Sequence, residues 1–339
     1  MQGRIENERK MDAKIIERLQ HEPKYMTTYM QTFARKSYTT KNAYINYVLE
    51  FIRYLENEYG YNIKDINVFS NIKPSMINAY LDYLSRIERV SDNGKVIVNG
   101  SSIQCAKFYA IKNFFKFLLN DDYIAKNPCD NIEPPKVDTE INIIAMDKKE
   151  INLILNNTMN GSGNHRAKAK QEKWRNRDYA IMTLALSLGL RVTSISEINI
   201  EDINFENNTI TVTEKGNKTR DVIFGDNLKQ ALLSWIEDRE NILDISERDA
   251  LFISNQKKRM CPKSISLLVE KYSEGIDKHI TPHKLRSTCA TNIYNATGDI
   301  YLTADIIGHR NIQNTRRYAK VDAEKREKAT KTMEKIVFG

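Results

Sequence analysis

The sequence is poor in cysteine: four in 339 residues, at Cys105, Cys129, Cys261 and Cys289. None forms a CxxC pair, and none has a histidine at zinc-ligand spacing. A disulfide scaffold and a structural zinc site are both excluded as organising devices, and the thiols read as those of a reducing compartment. Long apolar runs are also lacking. The longest, Ile181 to Leu190, is too short to cross a bilayer and fits a core helix. The N-terminus, with Arg4, Glu6, Glu8, Arg9 and Lys10, lacks a secretory apolar region, so the expected location is the cytosol, with no membrane partner. There is no internal repeat and no low-complexity tract.

What is present is globular composition with a basic excess. Hydrophobic residues make up 41% and charged residues 28%, and the net charge is +8. Such an excess suits a polyanionic partner. The length favours two domains over one core.

Residues 1–25 are charged and read as an N-terminal extension. From Tyr44 the apolar spacing is helical: Tyr44, Tyr47, Val48, Phe51, Ile52 and Leu55 share one face. This tyrosine-rich face reads as core rather than as a base-stacking platform. Pro74 opens a second helix with Ile77, Tyr80, Leu81 and Leu84 inward. Residues 91–100 interrupt the pattern, with Asn93-Gly94 as a turn signal. Ser101 or Ser102 caps a third helix carrying Ile103, Ala106, Ala110, Phe114 and Phe117. The expectation is an all-helical unit over 26–133. The stretch Lys126 to Lys136, with Pro128, Pro134 and Pro135, stiffens the connection, and 134–145 is read as linker.

The second unit, 146–325, begins with a helix near Asp147 to Leu155. A polar, basic insert at 159–177 follows, open to two readings: contact with DNA phosphates, or a solvated loop. The helix from Asp178 to Leu188 is strongly apolar and ends at Gly189. Residues 203–205, 209–213 and 220–224 predict a small antiparallel sheet, with turns at Asn207-Asn208 and Gly216-Asn217. The rest is helical. The fold class is therefore mainly α with a small antiparallel β-sheet.

Cutting a phosphodiester without a metal requires a nucleophile in line with phosphorus, donors on the non-bridging oxygens and an acid for the leaving oxygen. If the nucleophile is a protein hydroxyl, a covalent phosphoenzyme conserves the bond energy and rejoining needs no ATP. Five segments supply these parts. Leu186-Ser187-Leu188-Gly189-Leu190-Arg191 places an arginine just past a buried helix. Thr213-Glu214-Lys215-Gly216-Asn217-Lys218 places a lysine at a strand end. Thr281-Pro282-His283-Lys284-Leu285-Arg286 sets His283 and Arg286 three apart on one helix face. Gly308-His309 opens a turn, and Tyr318 follows in Thr315-Arg316-Arg317-Tyr318.

The ordered set Arg, Lys, His-x-x-Arg, Gly-His, Tyr resembles the tyrosine recombinase (phage integrase) family. The resemblance runs from about residue 40 to 325 and includes Glu201-Asp202-Ile203 and the Pro-Pro-Lys linker. Each motif is weak alone, and the ordered set is specific. It implies a helical, SAM-like core-DNA-binding domain and a mixed α+β catalytic domain that together clamp duplex DNA. Arg191 and Arg286 would hold the scissile phosphate. His309 would add a hydrogen bond, and His283 would act as base or proton shuttle. Lys215 would protonate the 5′ oxygen, though Lys218 lies only three residues on. Tyr318 would form a 3′-phosphotyrosine; a free phenol, with a pKa of about 10, needs neighbouring cations or a base for this.

The resemblance further implies a homotetramer on two DNA sites, no cofactor and no metal, and leaves room for accessory DNA-bending factors. The tail 326–339 is either a frayed end or, as in the family, a helix exchanged between subunits. Two positions depart from the family pattern. Ser194 stands where an acidic residue often follows the first arginine, with Glu197 one turn further on, and Ser287 follows Arg286. Two alternatives stay open: a type IB-like topoisomerase and a non-catalytic DNA-binding relative.

Overall fold

The computed structural model of the chain describes residues 2–33, 36–90, 96–137, 145–214, 218–309, 311–318 and 323–338. Two compact units emerge, residues 1–140 and 141–339.

The first unit contains α1 (Gln2–Leu19), α2 (Lys24–Gln31), α3 (Tyr38–Tyr59), a 3-10 turn at Ile66–Asn71, α4 (Pro74–Arg86) and α5 (Ser101–Asn120). Its core is aromatic. Tyr29, Phe33, Phe51, Phe69, Tyr80, Phe114, Phe115 and Phe117 are buried, and many of their rings meet edge to face, as between Tyr29 and Phe114 at 5.2 Å. Each such ring removed from water contributes about 1.5–3 kcal/mol. Tyr44 and Tyr47 pack against this core, so the tyrosine face of α3 is interior surface. Helix α1 belongs to the same core through Ile15 and Leu19. The stretch expected to be wholly helical holds a two-stranded antiparallel hairpin, β1 (Glu88–Val90) with β2 (Val96–Val98). Its β-branched run explains the departure; the Asn93-Gly94 turn signal lies outside the described residues. Ile103 also departs from the reading, being exposed on the first turn of α5, whose buried face starts at Lys107 and Phe108.

The second unit contains α6 (Lys148–Asn160), α7 (His165–Glu172), α8 (Arg175–Leu188), α9 (Val192–Glu197), a 3-10 turn at Ile200–Asp202, then β3 (Ile203–Asn204), β4 (Thr209–Glu214) and β5 (Lys218–Ile223). It closes with α10 (Asp226–Glu240), α11 (Pro262–Tyr272), α12 (Pro282–Thr297), α13 (Ile300–Ile307), α14 (Gln313–Arg316) and α15 (Ala323–Phe338). The strands form an antiparallel sheet in the order β3-β4-β5. The architecture is mainly helical with a small antiparallel sheet, as the apolar spacing predicted.

Helix α6 starts in a capping box: the Asp147 side chain accepts from the Glu150 backbone, and Glu150 accepts in return from the Asp147 backbone. Helix α8 is the hub, with Ile181, Met182 and Leu184 fully buried among α6, α10 and α12. The basic insert is partly structured. Arg166, Lys168 and Lys170 are exposed on α7, but Arg177 is buried in α8. Its guanidinium donates to Asp178 at 2.6 Å and to the Ile253 carbonyl, and it stacks on Trp174. A charge this deep needs its partner, and Asp178 supplies it. Among the described residues no helix is long and apolar enough to cross a membrane.

Candidate active site

Five of the six residues singled out in the sequence meet at one cavity of about 370 Å³, lined by Arg191, His283, Arg286, His309, Arg317 and Tyr318. The sixth, Lys215, lies outside the described residues. The alternative lysine, Lys218, opens β5 opposite Glu214 and is exposed.

Arg191 is placed by the end of α8. Gly189 adopts a left-handed φ of 56° as the helix cap, and a Cβ there would stand 3.1 Å from the Cys289 sulfur. The chain turns, and Arg191 becomes the N-cap of α9. Its guanidinium donates through Nη1 to Glu214 and through Nη2 to the Gly308 carbonyl at 3.2 Å.

Arg286 comes from α12. Pro282 opens that helix, and the Thr281 hydroxyl accepts from the Lys284 backbone N–H. The side chain is only 3% exposed. Nη1 donates to the Gly189 carbonyl at 2.6 Å, whereas Nη2 is buried with no hydrogen-bond partner among the described residues. A buried donor without a partner is costly, and this Nη2 is open to an acceptor. Burial, and then the neighbouring Arg191, push the Arg286 pKa down to about 10.

The two histidines are held neutral. Burial followed by Arg286, Arg191 and Arg317 drives His309 down to about 4. His283, at the exposed rim, is also lowered, by partial desolvation and then by the same three arginines. His309 follows Gly308, which ends α13 with a left-handed φ of 68°, and its backbone N–H donates to the Ala304 carbonyl at 2.8 Å. Its Nδ1 lies 2.9 Å from the hydroxyl of the fully buried Thr315. With the hydroxyl donating to Nδ1, the neutral ring carries its proton on Nε2.

Tyr318 follows the short helix α14, its N–H donating to the Thr315 carbonyl at 2.9 Å. It is 4% exposed, packs with Ala290 and Ile307, and its ring stacks on His309 at 6.0 Å between centroids. The phenol is near enough to act electrostatically on Arg286.

Four participants were missed in the sequence: Glu214, Arg220, Thr315 and Arg317. Glu214 was detectable in principle. Strand β4 alternates, with Ile210, Val212 and Glu214 all buried, so the carboxylate points inward where a cation must meet it. Ser194, the departure from the family pattern, donates to the Thr213 carbonyl at 2.8 Å instead of pairing with Arg191.

The sequence profile of the phage integrase family matches residues 145–325, more than half of the chain. The chain belongs to the phage integrase family. Among its relatives, tyrosine recombinase XerC of Caldanaerobacter subterraneus subsp. tengcongensis is 26% identical over 333 residues, covering 93% of this chain and 87% of the relative. Tyrosine recombinase XerC of Alcanivorax borkumensis is 29% identical over 226 residues, 66% of this chain and 70% of the relative. The fold of this integrase-family chain is shared with the XerH site-specific recombinase bound to palindromic difH substrate in a post-cleavage complex. That match has a TM-score of 0.68 at 18% identity, over 90% of this chain and 83% of XerH.

Proposed function

We propose that this chain is a site-specific recombinase that cuts and rejoins double-stranded DNA through a 3′-phosphotyrosine on Tyr318. The observation that carries the reading is the convergence of Tyr318, both arginines and both histidines on one cavity. The Tyr318 oxygen attacks phosphorus, the bond to the 5′ oxygen breaks, and a proton passes to that oxygen from Lys215. Arg191 and the open Nη2 of Arg286 neutralise the non-bridging oxygens as charge builds. His309 donates from Nε2, and His283, neutral near pH 7, accepts the phenolic proton. Reversal with a new 5′ hydroxyl rejoins the strand, so the bond energy is conserved without ATP.

Its XerC relatives support recombination between defined sites over site-independent relaxation of supercoils. Integration or excision of a mobile element and resolution of DNA multimers use this same chemistry. Four protomers on two sites, with strands exchanged in pairs, complete the reading, and the cytosol is its compartment.

The test is a nicked suicide duplex, whose cleaved fragment diffuses away and traps the covalent complex. Wild-type protein should accumulate adduct, and Tyr318→Phe should bind the duplex normally and form none. Adduct formation by Tyr318→Phe at the wild-type rate would reject the assignment.

A further inference from the structure

One charged group at the site has no counterpart in the family pattern described above. Glu214 is 9% exposed, and it lies between two guanidinium groups. Arg191 donates to its Oε2, and Arg220 Nε stands 3.5 Å from its Oε1. Arg220 reaches on from β5 to α13, donating to the carbonyls of Ile306 at 3.1 Å and Asp305 at 3.3 Å. A Cβ on Gly308 would come within 2.7 Å of Glu214 Oε1 and 2.8 Å of Arg220 Nε. The carboxylate is therefore packed into the turn that leads to His309.

The position three residues beyond Arg191 is a serine whose hydroxyl is spent on the Thr213 carbonyl. That bond fixes the β4 backbone one residue before Glu214. The end of the central strand β4 thus brings a negative charge to Arg191. We infer that Glu214 is the positioning residue for Arg191, holding one edge of its guanidinium so that the other faces the scissile phosphate.

The physical need is clear from the charges. Arg191, Arg286 and Arg317 line one cavity and repel one another before DNA arrives. A long arginine side chain, 35% exposed, would otherwise swing toward water. A buried carboxylate between Arg191 and Arg220 offsets the repulsion and fixes the fork. The same contact joins the hairpin end to the His309 turn, so the phosphate-binding groups are set as one unit.

This inference rests on the recombinase reading, and two measurements separate them. The first is the cleavage rate of full-length protein on the nicked suicide duplex at saturating DNA. Glu214→Gln, equal in shape, should lower it by roughly tenfold to a hundredfold, the range seen when a residue orienting a metal ligand is removed. The DNA dissociation constant should not move, and Glu214→Asp should recover part of the rate. The second is modification of Arg191 by phenylglyoxal without DNA, read by mass spectrometry; Glu214→Gln should speed it severalfold.

A wild-type cleavage rate in Glu214→Gln would overturn the inference. So would slower cleavage with unchanged Arg191 labelling, because the effect would then not pass through Arg191. If Glu214→Gln does not fold, Glu214→Asp decides by the same two readouts: slower cleavage with Arg191 labelling unchanged from wild type would overturn it. Wild-type protein that forms no adduct would overturn the recombinase reading, while the labelling comparison would still judge the contact.

Discussion

Replacing Arg286 by lysine keeps the charge and removes the fork. In the structure Nη1 is committed to the Gly189 carbonyl at 2.6 Å, and Nη2 is buried with no partner among the described residues. A single ammonium cannot serve both positions. If it stays on the carbonyl, the phosphate loses one donor as charge develops in the transition state. Removing one such donor costs about 10²–10³ in rate, or roughly 2.7–4 kcal/mol. The effect on folding is smaller, about 1 kcal/mol, because the charge and the carbonyl contact both persist. Binding should change little, since affinity for duplex is spread over many phosphates. Chemistry should therefore fail while fold and binding survive. The assay is single-turnover adduct formation on the nicked duplex at saturating DNA, beside thermal unfolding and a DNA dissociation constant. Cleavage by Arg286→Lys within about threefold of wild type, worth about 0.7 kcal/mol of barrier, would refute the reasoning.

Other consequences are as definite. Gly308→Ala places a Cβ at φ 68° and 2.7 Å from Glu214. The backbone strain alone costs about 1–2 kcal/mol, so the second unit should melt about 2–8 °C lower, and an unchanged melting temperature would contradict the packing. His309 has its pKa lowered to about 4, so the unfolded chain, titrating near 6.5, binds more protons between those values. Its contribution to stability is fully present above about pH 6.5 and is lost as pH falls toward 4. DNA phosphate favours the imidazolium, so binding near pH 6 should take up protons, seen by calorimetry in buffers of different ionisation enthalpy. Proton release would contradict the assignment, and His309→Gln should diminish the uptake.

Much of the candidate site was legible because the groups proposed to meet phosphate sit in short motifs whose local geometry is set by neighbours. Gly189 turns the chain before Arg191, Pro282 starts the helix that carries His283 and Arg286, and Gly308 ends the helix before His309. The helical core of the first unit was legible from spacing, since Val48, Phe51, Ile52 and Leu55 recur at helical steps and are all buried. Less legible were residues whose role depends on partners distant in sequence. Glu214 lies 23 residues from Arg191; the alternation of β4 turns it inward, but nothing near it singles out Arg191 as its partner. Thr315 reads as an ordinary polar residue until His309 is seen 2.9 Å away. Arg177 looked like part of a basic insert, and only tertiary packing against Trp174 and Asp178 makes it interior. The β1–β2 hairpin was hidden for a related reason: three-residue strands carry too short an alternation to compete with the helices around them.

The most direct test of the central claim is to locate the covalent bond itself. The adduct trapped on a nicked suicide duplex should be digested with nuclease and protease, and the modified peptide sequenced by mass spectrometry. The account predicts a nucleotide joined through its 3′ phosphate to the oxygen of Tyr318. A bond to any other residue, or cleavage that leaves a free 3′ phosphate and no protein attached, would contradict it.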